Sequence, residues 1–89
     1  MRHELKISPK YFDAVAQGIK TFEVRKNDRG FAVGDTLWLR EYDADAGLVE
    51  AHGYTFRKCH AVVTYILDDK DYCPEGYVIL GIRVLKKEE

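Results

Sequence analysis

Cysteine is scarce in this chain: Cys59 and Cys73 are the only two, 14 positions apart. Nothing like a secretory leader precedes them, since Met1 is followed at once by Arg2, His3 and Glu4, so the expectation is reduced thiols in a cytoplasmic protein rather than a disulfide framework. The thiols and the scattered His3, His52 and His60 lack the paired spacing of a structural zinc site, and neither a metal nor a cofactor is expected. Long apolar runs are also missing. None approaches the roughly 20 residues needed to span a bilayer, so no membrane partner is expected. Finally, neither sign of charge is in excess. With 14 basic and 15 acidic residues the formal charge is −1, so no whole-molecule field draws in a polyanion, and any nucleic-acid contact has to come from a local patch.

What is present is ordinary for a globular domain: 46% apolar and 33% charged residues in a chain of 89. Residues 1–89 read as a single domain, with neither internal repeats nor low-complexity segments. A core of this size leaves little room for a deep internal cavity, which places a site on a face, in a shallow barrel mouth or between subunits.

Taken in order, His3 to Ile7 alternates polar and apolar residues and reads as a first strand, with Leu5 and Ile7 on one face. Ser8-Pro9 then supplies a helix cap and a first helical proline. Phe12, Val15 and Ala16 form an apolar stripe at helical spacing, and Gly18 ends a helix of about nine residues. Lys26 to Gly30 is a polar loop and Gly34-Asp35 a turn. Thr36 to Tyr42 is a strand with Leu37 and Leu39 toward the core and Trp38, Arg40 and Tyr42 opposite. Asp43 to Gly53 reads as a loop. Tyr54 to Leu67 is a strand long enough to require a bend or a bulge, with a half-buried, hydrogen-bonded His60 inside it. An acidic turn at Asp68 to Asp71 leads, through Tyr72 to Gly76, into a last strand over Tyr77 to Leu85, and Lys86 to Glu89 is a frayed tail. Five strands and one helix joined mostly by short turns, without βαβ alternation, predict an α+β fold. Its form is a small mixed or antiparallel barrel with the helix between the first two strands.

The stretch from Gly18 to Arg25 concentrates the chemistry. Its strand alternates Phe22 and Val24 on one face with Thr21, Glu23 and Arg25 on the other, and Lys20 leaves the glycine just before this pattern begins. A lysine, a carboxylate and a guanidinium therefore gather at one edge. The plainest reading of Glu23 and Arg25 is an exposed ion pair worth under about 1 kcal/mol, and that of Lys26 and Arg29 a solvated loop. Trp38, Arg40 and Tyr42 form an aromatic-cation-aromatic alternation that suits either base stacking or a covered second face of the sheet.

The string Gly18-x-Lys20-x-x-Glu23-x-Arg25 resembles the ASCH superfamily, whose fold is that of PUA-like RNA-binding domains. The His3-Glu4-Leu5-Lys6-Ile7 start, the Gly34-Asp35 turn and the Glu75-Gly76-Tyr77 entry to the last strand agree with it over the whole chain, which looks like one of the short, stand-alone members. The resemblance implies a five-stranded PUA-like pseudo-barrel with a cleft beside the helix, into which Lys20, Glu23 and Arg25 project, and a role in binding RNA or nucleotides. Some small relatives are amidohydrolases that deacylate N4-acetylcytidine with a lysine, a threonine and a later glutamate. Lys20 matches their lysine, but Glu23 stands where they have threonine. The later glutamate has only loose counterparts in Asp68, Asp69, Asp71 and Glu75.

Three functions follow as expectations. In a nucleotide- or RNA-binding module, Lys20, Arg25, Lys26, Arg29 and Arg40 neutralise phosphate, Trp38 or Tyr42 stacks, and Glu23 accepts from an exocyclic amine. In an amidohydrolase, Lys20 is base or nucleophile, Glu23 activates water and Arg25 steadies the oxyanion. In a protein-interaction domain, the charged trio only buttresses the barrel rim.

Overall fold

Each element begins and ends where the sequence gives it a reason to. The computed structural model describes residues 1–45 and 52–85, with β1 (Arg2–Ile7), α1 (Pro9–Ala16), β2 (Phe22–Lys26), β3 (Thr36–Tyr42), β4 (Tyr54–Leu67) and β5 (Tyr77–Leu85). Ser8 caps α1 by accepting the Lys10 amide at 3.2 Å, and Pro9 fills the first helical turn. At the other end Gly18 takes φ 77°. The chain then turns so that the Ile19 and Lys20 amides both donate to the Ala14 carbonyl, at 2.8 and 2.9 Å.

The strands form one sheet in the order β1-β3-β4-β5-β2. β1 and β3 are parallel, because α1 and β2 intervene as a crossover, and the other pairs are antiparallel. β4 serves two partners, β3 through its first part and β5 through its last. The bend expected of so long a strand is there as a register shift between Val63 and Tyr65, and Phe56 near the start of β4 takes φ 73°. The sheet thus curls into a half-barrel with one short helix against its inner side. Leu5 and Ile7 from β1, Leu37 and Leu39 from β3, Ala61 and Val63 from β4, and Val78, Leu80 and Ile82 from β5 line that side, closed by Phe12 and Val15 of α1. Gly53 (φ 95°) closes on Tyr42, since a Cβ there would lie 2.7 Å from the tyrosine ring.

The loop expected from Asp43 to Gly53 lies outside the described residues at 46–51, as does the tail expected at 86–89. His60 is half-buried, as expected, but among the described residues its ring makes no hydrogen bond; it lies instead in a parallel stack on Trp38 with ring centroids 6.1 Å apart. Among the described residues no helix is long and apolar enough to cross a membrane.

At the head of β3, Asp35 ties the first turn to β1. Its carboxylate receives His3 Nε2 at 2.8 Å, the Ala32 amide at 3.0 Å and the Met1 amino group at 3.1 Å. An ionised carboxylate can only accept, so Nε2 carries the proton. The His3 hydrogen bond first, then that of the amino group, holds the Asp35 carboxyl at about 2, below its ordinary 3.8. A lowered carboxyl stabilises the fold fully above its unfolded value and loses that contribution as pH falls toward its folded value. Urea denaturation at pH 7 should therefore show Asp35→Asn less stable than the wild type, with the difference shrinking between about pH 4 and pH 2. A gap that stays constant across that range would contradict the assignment.

Candidate functional site

β1 and β2 are the two edges of the sheet, and among the described residues no strand pairing joins them. Arginine side chains span the gap instead. Arg25 Nη2 donates to the Lys6 carbonyl at 2.5 Å and Arg29 Nη1 to the Glu4 carbonyl at 3.0 Å. Carbonyls two residues apart point the same way from a strand, so two guanidiniums do along this seam what a neighbouring strand would do.

Glu23 lies at the centre of the seam. β2 keeps its alternation, but the polar side is the inner one: Glu23 is 4% exposed while Phe22 and Val24 are 46% and 47% exposed. The exposed-ion-pair reading therefore gives way to a buried one. Lys20 Nζ reaches Glu23 Oε1 at 3.1 Å, and Arg25 reaches Oε2 through Nε at 3.0 Å and Nη2 at 2.7 Å. Lys20 also donates to the Phe22 carbonyl at 2.7 Å, and its ammonium lies 4.6 Å from the Phe22 ring centroid and 5.1 Å from that of Tyr11. The helix-ending turn at Gly18 fixes where Lys20 leaves α1, and pairing with β5 fixes Glu23 and Arg25. Together they floor a cleft of about 450 Å³ whose walls include Lys6, Ile7, Tyr11, Phe22 and Val24.

Donors remain on this floor. An ammonium has three N–H groups and a guanidinium five. Lys20 uses two, and among the described residues Arg25 Nη1 has no partner. Glu23 Oε1 accepts once and can accept again. The cleft thus offers cationic donors, an acceptor and apolar walls within a volume in the range of small-molecule sites. Behind it, burial, and then the Glu23 charge, pushes the Cys59 thiol up to about 11, which makes it a poor nucleophile near neutral pH.

The remaining residues singled out in the sequence are not brought to this cleft. Lys26 ends β2 and Arg29 closes the seam, and neither lines the cavity. Trp38 and Arg40 lie half-buried on the outer face of β3, with Arg40 Nη1 2.7 Å from Glu4 Oε2. Asp68, Asp69, Asp71 and Glu75 fall in the β4–β5 connection and none lines the cleft. Among the described residues no group of three or more His, Cys, Asp or Glu side chains is placed to hold a metal ion.

A second buried carboxylate, Glu41, escaped the sequence reading. It receives Thr55 Oγ1 at 2.6 Å, Arg57 Nε at 3.0 Å and Arg57 Nη2 at 3.1 Å, and Arg57 Nη2 also reaches Asp13 on α1 at 2.8 Å. The hydrogen bonds to Glu41, and secondarily that to Asp13, raise the Arg57 guanidinium above its ordinary value. This clamp ties α1 to β3 and β4 and so holds the wall that carries Tyr11. The signal was parity, because Glu41 continues the inward series Leu37, Leu39.

Arg25 serves a buried carboxylate and a backbone carbonyl at once. Arg25→Ala should lower unfolding free energy by about 3 kcal/mol in urea. Arg25→Lys should recover less than half of that, because one ammonium cannot reproduce the two-pronged contact with Glu23 and the Lys6 bond together. Full recovery by lysine would show that charge alone matters here.

The chain is 41% identical over 78 residues to a protein of Escherichia phage P2 described as "Uncharacterized 12.9 kDa protein in GpA 3'region". That match covers 88% of the chain and 64% of the phage protein, so the chain spans just under two thirds of its relative. The model of the family described as "Domain of unknown function (DUF3850)" matches residues 2–82. Matched over nearly its whole length, the chain belongs to the DUF3850 family.

Proposed function

We propose that this DUF3850 chain is a nucleotide- or RNA-binding domain of the ASCH type, its half-barrel a PUA-like one, and that it takes a single nucleotide in the cleft between α1, β1 and β2. The observation that carries this reading is the Lys20–Glu23–Arg25 floor beneath the Tyr11 and Phe22 rings. A base edge presents donors and acceptors side by side on a flat apolar body. The floor answers it with the Lys20 side chain, the Arg25 Nη1 that has no partner among the described residues and a carboxylate oxygen, between walls that are mostly apolar. Lys20 donates both to Glu23 and to the Phe22 carbonyl, and a side chain so engaged is placed to hold a ligand rather than to attack one, which favours binding over amide hydrolysis. The near-neutral net charge suits one nucleotide or a short defined loop better than a long polymer. A cytoplasmic setting, where such ligands are plentiful, fits the free thiols of Cys59 and Cys73.

The test is an NMR titration of wild type and Lys20→Ala with nucleosides, nucleotides and short RNAs, N4-acetylcytidine among them, followed for product as well as shifts. The expected result is shift changes confined to Lys20, Glu23, Arg25 and Tyr11 without product, and affinity about tenfold or more lower in Lys20→Ala, the loss of one charged hydrogen bond. Release of acetate that depends on Lys20 would make the protein a hydrolase instead. Silence across the panel would leave a protein partner as the reading.

A further inference from the structure

The outer face of β1, β3 and β4, turned away from the core, alternates aromatic and cationic side chains in rows. Register sets Trp38 between Glu4 and His60, and Arg40 between Lys6 and Lys58, with Tyr42 opposite Tyr54 beyond them. The rows interlock. The Arg2 and Arg40 guanidiniums lie 4.6 and 5.0 Å from the Trp38 ring centroid, Arg40 lies 4.0 Å from that of Tyr54, and the Lys6 ammonium 4.2 Å from that of Tyr42. In these rows Arg2, Lys6, Arg40 and Lys58 face a single carboxylate, Glu4, although the whole chain carries −1. The balancing acids cluster elsewhere, four of them in the β4–β5 connection at Asp68, Asp69, Asp71 and Glu75. Segregation of this kind gives one face a positive field that net charge conceals.

A self-contained cation–aromatic ladder would need nothing more, but this one has an open end. Phe56, at φ 73°, sits in the left-handed region that bulky side chains avoid, and 73% of it is exposed. Its ring borders a hollow of about 80 Å³ shared with Trp38, Arg40, Tyr54, Lys58 and the Glu41–Arg57 pair. Backbone strain that holds an aromatic ring in water, beside cations, is the kind found at ligand contacts.

We propose that this face is a path for single-stranded nucleic acid, with bases stacking on Phe56 and the neighbouring aromatic rings and phosphates meeting Lys58, Arg40 and Lys6. The proposal takes its ligand class from the nucleotide reading of the cleft and rests on different residues. Lys6 joins the two surfaces: it lines the cleft, its carbonyl holds Arg25, and its ammonium lies over Tyr42 on the outer face. A strand with one nucleotide in the cleft can therefore continue over Lys6 onto the sheet.

Trp38 is the only tryptophan, so its fluorescence reports the outer face directly. The full chain is titrated with uridine monophosphate and with a nine-residue oligouridylate, at low and moderate salt, and NMR shifts at Lys20 and Glu23 report the cleft in parallel. The nonamer is expected to quench Trp38, to bind about tenfold or more tighter than the mononucleotide, and to weaken as salt rises. Lys58→Glu and Phe56→Gly should each weaken the nonamer about fivefold or more and leave the mononucleotide unchanged. Phe56→Gly should be at least as stable as the wild type, since glycine accepts the positive φ, so lost binding would not be lost folding. A nonamer that binds no tighter than the mononucleotide, or leaves Trp38 unquenched, overturns the path even where the mononucleotide shifts Lys20 and Glu23. If the nonamer quenches Trp38 while the mononucleotide leaves the cleft untouched, the cleft reading fails and the path stands.

Discussion

A carboxylate taken out of water has to be neutralised where it sits, and the neutralisation of Glu23 organises one side of this molecule. Lys20 arrives from the end of α1 and Arg25 from the same strand, and each is committed to backbone as well, Lys20 to Phe22 and Arg25 to Lys6. The ion cluster thus joins the helix exit to both open edges of the sheet. Removing one cation leaves a buried charge half-answered and also uncouples an edge, so its cost exceeds that of a surface pair.

The same device recurs elsewhere on the inner side. Asp35 gathers His3 and the turn amide at the head of β3, and Glu41 gathers Thr55 and Arg57 near its other end. Each carboxylate holds elements that the sheet ladder leaves unattached: the turn before β3, the helix, and the two edges. Apolar residues fill the middle of the half-barrel, and these acids secure its ends. Buried polar groups of this kind are tolerated because their lone pairs are met by donors from the protein itself.

Strand and helix positions were legible because their signals are local. The Ser8-Pro9 cap, the Gly18 stop and the alternation from Thr36 to Tyr42 need no knowledge of distant chain. Which side of an alternating strand faces inward is a different matter. In β2 the period was right, yet Glu23 faces in and Val24 out, because the edge position gives the inner side a polar cluster to complete and leaves the apolar side without a covering layer. Glu41 shows the converse, a residue whose parity with Leu37 and Leu39 announced its burial although its chemistry argued against it. The grouping of Trp38 and Arg40 with Lys20 could not be judged from the chain order, since β1 enters between cleft and outer face only through a parallel pairing with β3. The partners of Arg57 are equally non-local, lying 16 and 44 positions away.

The seam closed by Arg25 and Arg29 also bears on how the molecule behaves in a crowd. An open sheet edge displays a row of vacant carbonyls and amides on which another chain can assemble. On β1 two of those acceptors are already occupied by guanidiniums, and the charge they bring repels an incoming copy of the same edge. The arrangement that shapes the cleft thus also guards against polymerisation. It does so with side chains that can let go of the edge and take it again without disturbing a single rung of the ladder.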